Sequence, residues 1–142
     1  MKISEQGIQL IKKFEGCRLS AYKDVVGILT IGYGHTGPDV TDGLKISQTI
    51  ADALLINDLK HVEACIVSCV SFNITQAQFD ALCSFIFNVG ASAFRHSHLL
   101  LKLNAGDIAS AANEFLRWDR AGGRIIPDLS RRRQSERSLF LS

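Results

Sequence analysis

The sequence predicts an α+β fold that is mostly helical, with one small β region near the N-terminus. Three observations lead there. Apolar residues recur at spacings of three and four along much of the chain, as in Leu55, Leu59, Val62 and Ile66. Residues 17–46 break that rhythm, with glycines at 27, 32, 34, 37 and 43 and an alternating stretch from Leu29 to Gly34. No repeat, low-complexity tract or Pro/Ser-rich linker interrupts the 142 residues, so one domain spanning 1–142 is expected.

The first helix is expected to follow Ser4, whose side chain can cap the free amides, with Ile3 and Ile8 as a hydrophobic staple. Gly7, Leu10, Ile11 and Phe14 mark its buried face, and Gly16 supplies the stop, which leaves Glu15 in the last turn. In the β region the alternation puts Leu29, Ile31 and Tyr33 on one side and Thr30, Gly32 and Gly34 on the other. That second face is nearly bare. It suits either close approach of a ligand or a tight bend and strand crossing.

A long helix is expected from Ser47 onward. The next opens on Thr75 and Gln78 as a capping box, with Ile74 and Phe79 as staple, and runs through Leu82, Cys83 and Ile86 to Gly90. It is apolar enough to be the central core helix. Shorter helices follow around Leu99 to Leu103 and from Asp107 to about Phe115, and a last one runs from Pro127 and Asp128 to Phe140. Trp118 and Phe94 read as core aromatics.

With 46% hydrophobic and 21% charged residues, the chain can bury a core of its own. No run approaches the roughly 18 apolar residues of a membrane span, and Met1 to Gly7 carries no signal-like stretch, so a cytosolic start without stable membrane insertion is expected. A formal charge of +2 implies no polyanionic partner. The charge is uneven, however: seven arginines and three acids lie between Arg117 and Arg137. This segment reads as a solvated helix face or as a positive rim. A nucleic-acid site would need more charge and interleaved aromatics, so no nucleic-acid partner is expected.

Four cysteines are too few for a disulfide scaffold in a chain of this length. His61, Cys65 and Cys69 fall on one helical stripe, but no CxxC pair accompanies them. Reduced thiols flanking the core are expected, and no metal or other cofactor.

The residues equipped for chemistry are Glu15, Asp24 and Thr30. Cleaving a glycosidic bond takes one carboxylic acid to protonate the leaving oxygen and a second, ionised group to activate water or attack the sugar. A carboxylate in the last turn of a helix meets the negative end of the dipole, which penalises its charged form by about 0.3–1 kcal/mol and favours a proton donor. Apolar burial beside Phe14 would have to add most of the effect an acid catalyst needs. Taken alone, the three residues are a weak signal, and surface charge plus a turn aspartate is the first reading of them.

A wider pattern goes further. Phe14, Glu15, Gly16 and Arg18, then Tyr22, Asp24, Gly27 and the run Leu29-Thr30-Ile31-Gly32-Tyr33-Gly34-His35-Thr36, resemble the signature of phage-type lysozymes of glycoside hydrolase family 24, the phage endolysins. The likeness continues through Gln78 to Leu82, Phe87 to Gly90, Leu103 to Gly106, Arg117-Trp118, Ala121 to Arg124, and Pro127, Leu129, Arg131 to Arg133, Glu136 and Arg137. It departs at Asp128 and Asp42, where relatives often carry glycine and proline.

The resemblance implies a two-lobed lysozyme-like fold, with a small N-terminal β-hairpin lobe, a long connecting helix, a helical C-terminal lobe and a sugar-binding cleft between the lobes. It implies a muramidase that hydrolyses the β-1,4 bond between N-acetylmuramic acid and N-acetylglucosamine in peptidoglycan, by inversion. Glu15 is then the general acid, and Asp24 and Thr30 hold the attacking water. His35, counted with the substrate-binding residues, supports the cleft. Read as a positive rim, the arginine segment offers Arg117, Arg124 and one of Arg131 to Arg133, with Arg132 the candidate, to carboxylates of the substrate. The N-terminal signal-arrest-release segment of some members is not seen, which implies a protein that waits in the host cytoplasm and depends on a holin to reach the wall; a monomer is expected. Two alternatives remain: a lysozyme-like scaffold that binds glycan or a partner with little hydrolysis, and a lytic transglycosylase. The latter needs the Glu alone, so Asp24 and Thr30 speak against it.

Overall fold

The computed structural model describes all residues from Met1 to Ser142. It contains seven α-helices, a three-stranded antiparallel sheet and one two-stranded hairpin. The chain divides into two compact units, one of residues 11–60 and one of residues 1–10 with 61–142.

The unit of residues 11–60 holds the end of helix α1 (Glu5–Glu15), strands β1 (Arg18–Lys23), β2 (Leu29–Gly32) and β3 (His35–Thr36), and the first half of helix α2 (Gln48–Cys69). The sheet order is β1-β2-β3, with Tyr22 opposite Thr30 and Ile31 opposite His35. Ile11, Ile31, Tyr33, Val40, Ala51, Leu55 and Leu59 form its core. The sparse strand face serves packing at Gly32. A β-carbon there would stand 3.6 Å from that of Ala51 on α2, so a small residue lets the helix lie close to the strand.

In the other unit, α3 (Gln76–Val89) is the central helix that its sequence predicts, with Phe79 to Ile86 buried without a break. Its capping box is complete: Thr75 Oγ1 accepts from Gln78 N at 3.1 Å, and Gln78 Oε1 accepts from Thr75 N at 2.8 Å. Helices α4 (Ala91–Arg95), α5 (His98–Asn104) and α6 (Ile108–Glu114) follow, with α5 and α6 capped by Ser97 and Asp107. Strands β4 (Arg120–Ala121) and β5 (Arg124–Ile125) make a hairpin, and α7 (Pro127–Leu141) starts with proline in its first turn, where the missing N–H is not needed. Phe85, Phe94, Phe115 and Phe140 fill the interior, with edge-on ring contacts of Phe115 to Phe85 and to Phe140, both at 5.3 Å.

The start of α1 is held by side chains from two other helices. Asp80 of α3 accepts from Ser4 N at 2.9 Å and from the Ser4 hydroxyl, and Glu63 of α2 accepts from Ile3 N at 2.8 Å. Two carboxylates thus meet free amides at the positive end of the helix dipole. Gly7 makes this docking possible, because a β-carbon there would lie 2.8 Å from the Asp80 β-carbon.

Candidate active site

Glu15, Asp24, Thr30 and His35 all belong to the unit of residues 11–60. Glu15 ends α1, as expected, and the chain leaves through Gly16, at φ +68°, whose N–H closes the last turn on Lys12 O. Its carboxylate has a close neighbour in the turn between β2 and β3: a β-carbon on Gly34 would fall 3.3 Å from Glu15 Oε1. The bare position that the alternation singles out at Gly34 is therefore where backbone meets the acid.

Asp24 sits where β1 gives way to its turn. Its Oδ1 accepts from Val26 N at 3.0 Å and Ile28 N at 2.9 Å, while its own N–H donates to Ile28 O at 2.9 Å. An aspartate that takes the amides of the following residues is a local turn-former. Here the same bonds fix the carboxylate, with one oxygen held by two backbone N–H groups. Thr30, 4% exposed, donates its hydroxyl to Ile28 O at 2.9 Å. The peptide groups of Ile28 thus anchor both residues, and the lone pairs of the Thr30 hydroxyl stay available to accept a further bond. Val25, Val26 and Ile28 are exposed at this turn beside Asp24, an apolar tip that the sequence reading did not single out.

His35 follows Gly34 and is clamped at both ring nitrogens. Nδ1 lies 2.8 Å from Asp58 Oδ2, and Nε2 lies 2.9 Å from Asp39 Oδ2. Burial alone would lower its pKa, but the hydrogen bonds and charges of Asp58 and Asp39 outweigh that and raise it above the ordinary histidine value. Asp39 is held correspondingly low by its bond to His35. The ring is only 11% exposed, which fits support of the local fold better than contact with a ligand.

The arginine candidates separate. Arg117 is 72% exposed and pairs with Glu114 at 3.1 Å, and Arg124 is exposed on β5. Arg117 also lines a pocket of about 360 Å³ with Trp118, His98 and the buried Glu114. A hydrogen bond from Lys102 at 2.9 Å, working against burial, holds the Glu114 carboxyl below its usual range. Arg132 corrects the expectation from sequence. It is 4% exposed, with Nε 3.2 Å from Glu136 Oε2 and Nη2 donating to Ser84 O at 3.0 Å, so its guanidinium is committed to the helical core. Arg133 is fully buried as well, over the Phe85 ring and 3.0 Å from Glu136 Oε1. Two of the seven arginines are therefore internal. The i,i+3 and i,i+4 spacing to Glu136 was the signal for this in the sequence.

No three His, Cys, Asp or Glu side chains converge in a way that would hold a metal ion. The partners of His35 were not legible as such, since Asp39 and Asp58 are loop and helix residues with no motif of their own.

Comparison with known proteins decides the family. The phage lysozyme family model matches residues 12–136. The chain belongs to the phage lysozyme family. Its chemistry is that of a glycoside hydrolase acting on peptidoglycan. The endolysin of Salmonella phage P22 is 48% identical over 100% of this chain and 99% of its own length. The endolysin of Bacillus phage B103 is 47% identical, and there the chain covers 55% of the relative's length. Among solved structures, a mutant of P22 lysozyme superposes with a TM-score of 0.92 at 47% identity, covering 100% of this chain and 99% of that one. The muramidase domain of SpmX from Asticaccaulis excentricus gives 0.93 at 41% identity, covering 99% and 98%. Relatives include proteins named SAR-endolysins, such as that of bacteriophage PS119, 44% identical over 89% of this chain and 76% of the relative.

Proposed function

We propose that this protein is an endolysin that hydrolyses the β-1,4 bond between N-acetylmuramic acid and N-acetylglucosamine, with Glu15 as general acid and Asp24 and Thr30 holding the attacking water. The observation that carries the reading is the shared anchoring of Asp24 and Thr30 on Ile28, with Glu15 against Gly34 in the same unit. A carboxylate with one oxygen pinned by two N–H groups is oriented without being consumed, and a hydroxyl whose proton is already donated presents acceptor lone pairs to water. Water activation of this kind, opposite the acid, inverts the anomeric centre.

Residues 1–142 act as one functional domain. Arg117 and Arg124, both exposed, are assigned to carboxylates of the peptidoglycan substrate, and His35 to the support of the Gly34 turn. The enzyme is assigned a monomeric state, a start in the host cytoplasm and passage to the wall through a holin lesion at lysis. None of the seven helices is long and apolar enough to cross a membrane.

Mass analysis of digested peptidoglycan tests the reaction. New reducing ends are expected. Anhydro-sugars would instead identify a transglycosylase, and intact strands a binding scaffold. The anomer first released, read by NMR, tests inversion. Expression with and without a co-expressed holin tests the route, with lysis expected only in its presence.

A further inference from the structure

Helix α2 ends on a pair of thiols that the site described above does not use. Cys65 and Cys69 lie one turn apart, with sulfurs 3.9 Å from each other. Ser68 Oγ, which donates to Cys65 O at 3.1 Å, lies 3.7 Å from Cys69 Sγ, and the charge of Arg95, the last residue of α4, acts on both thiols. Cys65 is 2% exposed, whereas Cys69 is half-buried and reachable. An arginine, a hydroxyl and a second thiol around one partly exposed sulfur is the surrounding of a reactive cysteine rather than of a core thiol.

We propose that Cys65 and Cys69 form a redox-active dithiol site for a small-molecule disulfide, with Cys69 taking the first sulfur and Cys65 resolving the adduct. Burial alone would raise the Cys69 pKa, but the contacts with Ser68 and Cys65 and the Arg95 charge outweigh it and bring it below the ordinary thiol value. Burial, together with the neighbouring Cys69, pushes Cys65 up. The two thiols are thus unequal, one prepared to attack and one held in reserve. Cys83 is fully buried and its thiol is pushed far up by desolvation, so it is inert.

The chemistry balances in two exchanges. The Cys69 thiolate attacks one sulfur of R–S–S–R, a Cys69–S–S–R bond forms, and R–S⁻ departs. Cys65 then gives its proton to solvent, and its thiolate attacks the Cys69 sulfur and expels the second R–S⁻. The external disulfide is reduced to two thiols and the protein pair is oxidised to one disulfide. Helical geometry puts Cα atoms four residues apart at about 6.2 Å, inside the range of about 4.4–6.8 Å that a disulfide spans. Their β-carbons, however, lie at about 5–6 Å, beyond the about 3.5–4.5 Å it needs, so closure must unwind the turn. The sulfurs must still close from 3.9 Å to about 2.05 Å. Cys69 is the last residue of α2, so only the terminal turn has to unwind.

The test is a time course of the full chain with excess oxidised glutathione at neutral pH, quenched with acid and read by intact mass and peptide mapping. A glutathione adduct on Cys69 is expected first, giving way to a product two hydrogens lighter than the reduced protein, with Cys65 joined to Cys69. Cys65→Ser should stop at the adduct. Arg95→Gln should slow its formation by about 3- to 10-fold. An adduct confined to the exposed Cys17, or a Cys69 adduct that persists in the wild-type protein, would overturn the proposal, and the wild-type time course decides even if a variant fails to fold.

Discussion

A β-carbon on Gly34 would stand 3.3 Å from Glu15 Oε1, on backbone held at φ +78°. The turn after β2 is therefore both left-handed and pressed against the acid. Gly34→Ala is expected to cost about 1–2 kcal/mol of stability from the backbone alone. It should also displace the carboxylate by a few tenths of an ångström and lower turnover of the folded enzyme on the order of tenfold. Gly43→Ala is the control. Its φ of +81° carries the same strain, but its side chain would point into open space. Thermal melts and reducing-end assays on the pair should show equal destabilisation and unequal activity. Equal activity would remove Gly34 from the positioning of Glu15.

The three chemical residues are expected to fail in different ways. Glu15→Gln keeps shape and removes the proton donor, so turnover should fall by about 10²–10⁴ with the melting temperature maintained. Asp24→Asn keeps an oxygen for Val26 N and Ile28 N, so the turn should persist while water activation is lost. Thr30→Ala gives up the bond to Ile28 O, at a cost of about 1 kcal/mol, and a smaller share of the rate. A folded Glu15→Gln enzyme that releases reducing ends at the wild-type rate would relocate the general acid.

Local signals account for what the sequence made legible. The capping box at Thr75, the stops at Gly16 and Gly90 and the proline that opens α7 are contacts between residues a few positions apart, so each is readable from spacing. The Glu15, Asp24 and Thr30 pattern became informative only through family likeness, because three polar residues over sixteen positions have many explanations. Distant pairing stayed hidden. Asp80 at the head of α1, Asp58 beside His35 and Ser84 beneath Arg132 come from elements far along the chain. The hairpin at residues 120–125 was missed although Gly122-Gly123 is a turn signal, because two-residue strands leave no alternation to read.

Arg132 supplies a third prediction, on the side of stability. Arg132→Met takes away one of the two guanidiniums on buried Glu136 and leaves Arg133 at 3.0 Å, so it should cost about 1.5–3 kcal/mol in denaturant unfolding, the loss of a hydrogen bond to a charged group. Its KM for peptidoglycan, measured where the variant is folded, should not change. Arg124→Ala is the opposite case: its exposed position predicts a stability change within about 0.5 kcal/mol and an effect confined to substrate binding. A raised KM for folded Arg132→Met would return that residue to the substrate surface.

The His35 clamp makes stability depend on pH in a direction that can be derived. Carboxylates at both ring nitrogens require both to carry protons, so the bound form is the imidazolium. Its pKa in the fold is raised above 6.5, the value expected when unfolded. A raised folded-state pKa means that the native protein holds the proton more tightly. The stabilisation is therefore complete below about pH 6.5 and is lost as pH rises through the folded-state value. Asp58→Asn removes the more buried partner, 23% exposed against 60% for Asp39, and should destabilise by about 1.5–3 kcal/mol at about pH 5.5. The gap in melting temperature between wild type and Asp58→Asn should narrow steadily from about pH 6.5 into the alkaline range, and Asp39→Asn should show the same trend with smaller amplitude. His35→Asn, which lacks the titrating group, should remove the slope from both. A gap of equal size at about pH 5.5 and about pH 9 would mean that Asp58 contributes through shape and neutral hydrogen bonding, and that His35 is not charged in the folded protein.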